Sequence, residues 1–309
     1  MGTERKEVLL IGAAIIDVLV RPADAEVFRT GSYPAEEIRM SPGADALNEA
    51  TVLARLGAKV RLLTVMGSDP AGNYLLMHCR REGILLLDGC VREGMDTGIN
   101  VVLVGGDGRR SFLTNSNGSL RKLCLGDIRM PFPKSAGIVC FASIFVFPKI
   151  GVRELACIFA QAKRQNMTVC ADMTKCKNKE TADEMAEAFS YIDYLLPNDE
   201  EAMLLTGKET AFEAAEALLR TGVGNVVVKC GKEGCLVMNR EEAYMVPAAA
   251  DAVCIDTTGA GDSFTAGFIF ALSKGRSLRE CAEYGNECGG KAVGAVGATR
   301  WLDSRDASG

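Results

Sequence analysis

Apolar and polar positions alternate along this chain with two different periods, which separate predicted helices from predicted strands. Apolar residues recur at helical spacing over 46–56, 70–82, 152–164, 181–190, 200–205 and 212–220. Short apolar runs at 138–141, 168–171, 194–196 and 225–229 predict buried strands. Beyond Pro131 the two kinds of segment take turns, which indicates βαβ units. We therefore predict an α/β fold with a central, mostly parallel sheet flanked by helices.

The first part of the chain has a less regular pattern. The apolar run 8–16 predicts one strand, and strands at 99–104 and 110–114 flank the turn G-G-D-G at 105–108. This is a hairpin signal with no helix after it. It favours either a small β lid, formed by residues of about 15–42 and 97–118, or an ordinary edge hairpin. No repeat or linker interrupts the sequence, so we expect one domain over 1–309.

Composition narrows the class of protein. Of the 309 residues 48% are hydrophobic, enough for a large core, and the formal net charge is only −5. Because no basic stripe is present, nucleic acid is not an expected partner. The apolar run 136–147 is too short to cross a bilayer, and Asp17 interrupts the N-terminal run, so we expect no membrane contact. Twelve scattered cysteines without C-x-x-C spacing favour core packing in a reducing cytoplasm over zinc or disulfides.

The sequence D-T-T-G-A-G-D at 256–262 carries the strongest chemical signal. Helical periodicity follows it, so a turn of small residues opens directly into a helix, whose unpaired N–H groups and dipole can hold a phosphate. Asp262 lies in the first turn, where a carboxylate can accept the proton of a hydroxyl that attacks a γ-phosphoryl group. Alternatively, Asp262 only caps the helix. The predicted catalytic residues are Asp262, Gly259, Ala260 and Gly261.

Two familiar nucleotide-binding motifs are absent from the sequence. There is no G-x-x-x-x-G-K-[ST] loop, and no strand leads into G-x-G-x-x-G. These absences exclude the P-loop and dinucleotide-binding modes and leave the small-residue turn as the predicted phosphate site.

This segment resembles the C-terminal signature of the ribokinase-like (PfkB) carbohydrate kinases. G-A-D-A-L-N-E-A at 43–50 is similar to their N-terminal signature, N-D-E-E at 198–201 to their N-x-x-E motif, and K-C-G-K-E-G at 229–234 to their nucleotide-side glycine turn. The resemblance covers roughly 8–301. It implies an ATP- and Mg²⁺-dependent kinase that phosphorylates a hydroxyl of a small sugar-like substrate. A nucleoside kinase of this fold and a catalytically silent sugar-binding or regulatory protein are the alternatives.

The resemblance also implies roles for individual residues. Those expected to bind the substrate are Asp17, Gly43, Asp45 and Asn48. Those expected on the nucleotide side are Asn198, Glu201, Lys229, Gly231, Gly234 and, next to adenine, Asn286. Asn198 and Glu201 would hold Mg²⁺ through water, and Asp256 with the Thr258 carbonyl and residues 293–297 would hold K⁺. We also predict a homodimer formed through the lid.

Two of these assignments have simpler alternatives. Asn198 and Glu201 lie at i and i+3 on one helix, so they can also be a helix cap with a solvent-facing glutamate. Asp17 follows an apolar run and is expected to face a polar pocket, unless the strand simply reaches solvent there.

The sequence departs from the family pattern at two places. Ala44 stands where a second glycine is usual, and Asp45 stands where ribokinases carry a lysine. D-M-T-K-C at 172–176 keeps the aspartate of the D-x-N-x-R pattern of sugar-acid kinases but moves the positive charge to Lys175.

Basic residues elsewhere are interpreted as solvated. Arg109 and Arg110 at the predicted hairpin tip could meet a phosphate or an acid, although adjacent arginines at such tips usually face water. The charged run 175–179 is interpreted as a loop in water.

Overall fold

A computed structural model of the protein describes residues 7–250 and 253–305. Its strands are β1 Glu7–Ile11, β2 Ile15–Arg21, β3 Glu37–Gly43, β4 Lys59–Leu63, β5 Met66–Gly67, β6 Leu85–Leu86, β7 Val91–Arg92, β8 Ile99–Val104, β9 Arg110–Thr114, β10 Ala136–Ile144, β11 Thr168–Met173, β12 Tyr194–Leu195, β13 Asn225–Lys229, β14 Cys235–Asn239 and β15 Ala243–Val246. Its α-helices are α1 Glu26–Thr30, α2 Asp45–Arg55, α3 Pro70–Glu82, α4 Val152–Arg164, α5 Ala186–Phe189, α6 Asp199–Thr206, α7 Ala211–Arg220, α8 Ala260–Ser273 and α9 Leu278–Ala292. Short 3₁₀ helices span Ser119–Arg121, Leu125–Asp127, Gly231–Glu233 and Arg300–Arg305.

Nine strands form a large sheet with the order β15-β14-β13-β12-β11-β10-β1-β4-β6. The strands from β13 to β6 pair in parallel, and β14 and β15 add an antiparallel edge. Side chains of successive β1 residues pack on opposite faces of the sheet. Leu9 belongs to one hydrophobic core cluster and Leu10 to the other. Burial on both faces explains the continuous apolar strands. The predicted α/β fold is confirmed.

Four further strands form a separate sheet with the order β3-β2-β8-β9, which we call the lid sheet. It lies within the two segments predicted for a lid. Strand register places Asp17 beside Ser41 and Asn100 on one face. The next residue, Val18, pairs with Met40 on the opposite face. The lid sheet therefore has one polar face and one more apolar face.

The single strand predicted over 8–16 is wrong. The chain breaks at residues 12–14, so β1 enters the large sheet and β2 enters the lid sheet. At Gly12 an added Cβ would lie 2.7 Å from the Cβ of Ala46, so the chain passes too close to α2 for a side chain. Asp17 consequently lies inside β2, with four residues of the strand after it.

The helix predicted over 181–190 is also too long, since only Ala186–Phe189 is α-helical. The Glu184 carboxylate accepts hydrogen bonds from the backbone N–H and the hydroxyl of Thr181, and Ala182 N–H donates to the carbonyl of Leu205. These bonds hold the first residues in a turn. By contrast, the predicted boundaries of α3, α4, β8, β9 and β13 agree with the structure.

Two expectations from composition concern the core and the membrane. Seven of the twelve cysteines are buried and all twelve are free thiols, in agreement with their use as small apolar residues. Within the described parts of the chain, no helix has the length and apolar character needed to span a bilayer.

Candidate active site

The predicted phosphate turn opens helix α8 as the sequence indicates. Gly259 has φ +72°, and an added Cβ would lie 2.5 Å from Cα of Ala298, so glycine is required by both conformation and space. The helix begins at Ala260, and no side chain caps this end. The N–H of Ala260 donates to the carbonyl of Thr257, but the next N–H groups have no intrahelical acceptor. This end of α8 is thus open to an anion.

Asp262 lies in the first turn of α8, and its side chain lines a pocket of about 340 Å³. The amide of Asn48, on α2, donates to its carboxylate with an N–O distance of 2.7 Å. Burial raises the pKa of Asp262 well above its usual range, and the carboxylate of Asp45 raises it further. Because Asp262 lines the pocket and bonds to a side chain, it does more than cap a helix.

A buried ion pair lies directly behind the phosphate turn. Lys229 Nζ donates to both carboxylate oxygens of Asp172, at 2.9 and 2.7 Å, and the hydroxyl of Thr265 donates to the same carboxylate at 2.7 Å. A Cβ built on Gly261 would lie 3.6 Å from Lys229 Nζ. Burial opposes the charged form of Lys229, but Asp172 and Glu201 outweigh it and raise the lysine pKa. A fixed positive charge therefore lies next to the phosphate turn.

Glu49 is a buried acid that sequence reasoning did not select. Its side chain is fully buried, one oxygen accepts a bond from the Cys140 thiol at 3.5 Å, and the other oxygen has no partner among the described atoms. Burial, followed by the charges of Asp172 and Asp262, raises the pKa of Glu49 well above 4.5. Burial therefore favours the neutral form of Glu49 more than in an exposed glutamate.

The pocket is lined by three of the four predicted substrate residues, Asp17, Asp45 and Asn48, but not by Gly43. Its lining consists of Ala13, Ile15, Asp17, Ala44, Asp45, Asn48, Asn100, Leu120, Arg121, Ala142, Ser143, Val146, Lys177, Thr258, Gly259 and Asp262. Burial raises the pKa of Asp45 to about 6, with Asp172 adding to the effect. Asp17 accepts a hydrogen bond from the Asn100 amide at 3.3 Å, and burial raises its pKa as well. Asp17 therefore faces a polar pocket, as expected.

The chain in front of α2 approaches Asp17 very closely. A Cβ added to Gly43 would lie 2.0 Å from the Asp17 carboxylate, so a side chain there would displace it. Ala44 has φ +74° and ψ 150°, a conformation that normally requires glycine. The backbone thus keeps the geometry of a glycine although alanine occupies the position, and it stores strain beside the substrate pocket.

Three polar residues of the pocket were missed. Asn100 carried a signal, since it is the one polar residue in an otherwise apolar strand. Arg121 carried none, because it follows an irregular segment. Lys177 lies in an exposed loop, as interpreted for 175–179, but it also lines the pocket, which the sequence did not indicate. Lys175, where the sequence placed the positive charge, instead pairs with the exposed Glu200 at 2.5 Å.

The N-x-x-E residues form a reciprocal cap at the start of α6. Asn198 accepts from the N–H of Glu201 at 2.8 Å, and Glu201 accepts from the N–H of Asn198 at 2.9 Å. Glu201 is buried rather than solvent-facing, and burial raises its pKa to about 7 despite the opposing charge of Lys229. The cap uses one oxygen of Glu201 and leaves the other available to water.

The glycine turn after β13 has one position that only glycine can occupy. Gly234 has φ +96°, and an added Cβ would lie 2.1 Å from the carbonyl of Val246, whereas at Gly231 there is open space. Asn286 is buried in α9, and its amide donates to the carbonyls of Val246 and Pro247 at 3.0 Å each. Both donors of Asn286 therefore hold the end of β15, which leaves its oxygen for a ligand.

Asp256 connects the phosphate turn to the lid sheet. Its carboxylate accepts from Arg110 at 2.6 Å, from the N–H and hydroxyl of Thr258, and from the N–H of Gly297. Burial works against the charged form, but the bonds from Thr258, Arg110 and Gly297 lower the pKa of Asp256 to about 2. The interpretation of Arg110 as solvated is thus wrong, whereas Arg109 is exposed and pairs with Asp107.

An open helix N-terminus, a carboxylate beside it and a small polar pocket under a β lid define a phosphoryl-transfer enzyme as the class of protein. A model of the pfkB family carbohydrate kinases matches residues 5–305, so the chain belongs to this family and is a PfkB-family kinase.

Relatives of the chain include kinases of two substrate classes. The ribokinase of Haemophilus influenzae is 28% identical over 278 residues, covering 87% of this chain and 87% of that one. The cytidine kinase of Thermococcus kodakarensis is 28% identical over 287 residues, covering 91% and 94%. The crystal structure of adenosine kinase from Sinorhizobium meliloti superposes with a TM-score of 0.82 at 24% identity, covering 98% and 100% of the chains, and this likeness shows the fold. The ribokinase-like resemblance is confirmed.

The buried Glu49 generates a prediction about stability and pH. Its raised folded-state pKa means that the native chain keeps a proton that the unfolded chain loses above about pH 4.5. Wild-type stability should therefore fall from that pH upward, by up to ~1.4 kcal/mol per pH unit from this group. Glu49→Gln removes the titration, so over the range pH 5 to pH 8 its melting temperature relative to wild type should rise with pH until the folded-state pKa of Glu49 is reached.

The measurement is thermal unfolding of both proteins across this range. Glu216→Gln, an exposed change on α7, serves as the matched control and should show a constant difference from wild type. Parallel curves for Glu49→Gln and wild type would show that Glu49 is ionised in the folded chain.

Proposed function

We propose that the protein transfers the γ-phosphoryl group of ATP to a hydroxyl of a small sugar-like substrate. One observation carries this proposal. The Asp262 carboxylate lines the pocket at the open N-terminus of α8, so a hydroxyl bound there would lie between a base and an anion site. In the proposed reaction Asp262 takes the hydroxyl proton, the oxygen forms a bond to the γ-phosphorus, and the bond to ADP breaks.

The charge that develops on the transferred group needs fixed donors. The N–H groups of Gly259 and Gly261 are suited to this, because the turn and the first residues of α8 hold them in place and they need no reorganisation, whereas the N–H of Ala260 already donates to Thr257. Lys229 supports the same role, since its ammonium is pinned by Asp172 next to Gly261. Such catalysis is mostly positioning and electrostatics.

The residues on the nucleotide side fit ATP and Mg²⁺. Gly231 and Gly234 form a turn with little side chain, where a nucleotide can approach the backbone. Asn198 and Glu201 would hold Mg²⁺ through its water shell, by way of the glutamate oxygen that the helix cap leaves available. Mg²⁺ would there neutralise charge on the ATP phosphates. The Asn286 oxygen remains our candidate for an adenine contact.

The pocket lining favours a sugar over a nucleoside. Among the described residues that line it, none is aromatic, whereas hydroxyl-binding side chains are abundant. One observation favours a nucleoside as the second candidate. Phe112 shares the lid-sheet face of Asn100 and Arg110 and is 59% exposed, so a nucleobase could stack on it.

A catalytically silent binding protein finds less support, because such a protein would not need a proton-accepting carboxylate beside an anion site.

We further propose that the lid sheet joins two copies of the chain. Its apolar face exposes Ile38, Met40 and Leu113, at 70%, 48% and 60%. The register places Met40, Val18 and Leu113 in one row, so these side chains form a continuous surface.

The dimer is tested by sedimentation of wild type and of an Ile38→Lys, Leu113→Lys double variant. Wild type should sediment as a dimer and the double variant as a monomer, because two charges cannot be buried in the interface. Leu204→Lys, at an equally exposed leucine on α6, should remain dimeric. A monomeric wild-type protein at micromolar concentration would remove this proposal.

We also propose that K⁺ raises activity by tightening the phosphate turn. Support comes from the N–H groups of Ile255 and Asp256, which both donate to the carbonyl of Val293 and so bring residues 293–297 beside the Asp256 carboxylate. Turnover should be higher in KCl than in tetramethylammonium chloride at equal ionic strength. The difference in turnover between the two salts should be larger in Arg110→Gln. This variant lacks the guanidinium group of the lid sheet that binds the Asp256 carboxylate. Equal rates in both salts, in both proteins, would exclude a K⁺ site.

The central prediction concerns Asp262→Asn. The change keeps the size and the hydrogen-bonding capacity of the side chain, so the fold should survive with a stability change of about 1 kcal/mol or less. Turnover should nevertheless fall by ~10² to 10⁴, the usual contribution of a positioned base. Nucleotide affinity should hold or improve, because a negative charge near the γ-phosphate is removed.

Thermal midpoint, nucleotide binding and kcat are measured on the same preparation. Asp183→Asn, at an exposed acid before α5, is the control and should behave as wild type. In wild type, kcat/KM should rise with pH well above the range of an ordinary aspartate, since the raised pKa of Asp262 keeps the base protonated at lower pH. A folded, ATP-binding Asp262→Asn protein with near-normal kcat would disprove the assignment.

A further inference from the structure

The substrate pocket has an uneven distribution of charge. Three of its lining residues are acids, Asp17, Asp45 and Asp262, and two are cations, Arg121 and Lys177. The cations reach the pocket from separate segments. Arg121 ends the short 3₁₀ helix after the lid strands, and Lys177 lies in the loop after β11.

Neither of these cations takes part in an ion pair with any described residue. Three other basic residues, by contrast, each form an ion pair: Lys175 with Glu200, Lys229 with Asp172 and Arg110 with Asp256. The carboxylate nearest in sequence to Lys177 is Glu180, and it is occupied by the backbone N–H groups of residues 177 and 178. Glu180 thus shapes the loop rather than binding the ammonium.

The two cations are also close enough to repel each other. Partial burial lowers the pKa of Lys177, and the charge of Arg121 lowers it further. Holding like charges together at a pocket has a cost, which an anion bound between them would reverse. A guanidinium fork beside a flexible ammonium is a common arrangement for carboxylate or phosphate.

We infer that the substrate carries an anionic group, a carboxylate or a phosphate, that binds between Arg121 and Lys177 while its hydroxyls lie against Asp17, Asn48 and Asp262. This inference rests on the proposed kinase function and specifies its substrate class as sugar acids or sugar phosphates. The pocket volume of about 340 Å³ suits a single small sugar of this kind. A neutral nucleoside would bring no negative charge to Arg121 and Lys177, and at the lysine only the charges of Asp45 and Glu180 would oppose the repulsion.

The test uses matched pairs of compounds that differ only in charge. One arm compares aldonic and 2-keto sugar acids with the corresponding neutral sugars and alditols, and the other compares hexose phosphates with hexoses. ADP release is measured with saturating ATP and Mg²⁺. In one of the two arms kcat/KM of the anionic member should exceed that of its neutral partner by about 100-fold, and the arm that responds identifies carboxylate or phosphate.

Variants then locate the effect. Arg121→Gln and Lys177→Gln should each raise KM for the anionic compound about 10-fold and change KM for the neutral partner far less. Lys175→Gln is the matched control, because this lysine pairs with Glu200 and does not line the pocket. Equal losses for anionic and neutral compounds, or a preference of wild type for the neutral members, would overturn the inference.

Binding separates this inference from the kinase proposal. Calorimetric titration of the same pairs into wild type and the three variants needs no turnover. One outcome is that the anionic compounds bind tightly in a way that depends on Arg121 and Lys177, while no alcohol gives ADP release. This result would support the anion site and contradict the kinase proposal. Turnover of neutral sugars alone, with no binding of anionic ones, would keep the kinase and reject the anion site.

Discussion

The ion pair between Lys229 and Asp172 is the interaction on which the rest of the site depends. It lies at the ends of β13 and β11, and its positive member counters the charges of Asp45, Glu49 and Asp262. Without this cation, the pKa values of these buried carboxyls would be raised further than they are. Burying an ion pair gains little stability, so its value lies in fixing one positive charge beside the turn that opens α8.

Close packing gives that turn its rigidity. Gly259 approaches Ala298, and further along α8 an added Cβ on Gly267 would lie 2.8 Å from the Cys288 sulfur. The helix that presents Asp262 is therefore packed closely against α9. The lid sheet reaches the turn through the bond from Arg110 to Asp256.

Elements that carry their own start and stop signals were predictable from the sequence. Helix α3 has a capping aspartate, Asp69, with proline at its first position, and Gly83 at its end, and its bounds were right. The prediction of one strand over 8–16 was wrong, because hydrophobicity alone cannot show that a chain passes from one sheet to another. Three acids that line the pocket, Asp17, Asp45 and Asp262, were selected from the sequence, whereas Glu49 lay in the same motif as Asp45 and was not. Arg121 and Lys177 lay in irregular segments, and only tertiary contacts bring such residues to a pocket.

The hydrogen bond between Asn48 and Asp262 joins two roles that sequence motifs assign separately. Asn48 was expected to contact the substrate and Asp262 to act as base, yet the amide holds the carboxylate at 2.7 Å and both line the same pocket. A hydroxyl that reaches Asp262 must share it with Asn48, and the amide also lowers the pKa that burial raises. In the proposed reaction, substrate binding and activation of the base would therefore be coupled at this contact. Loss of the amide would alter kcat together with KM, which distinguishes this arrangement from a side chain that only binds sugar.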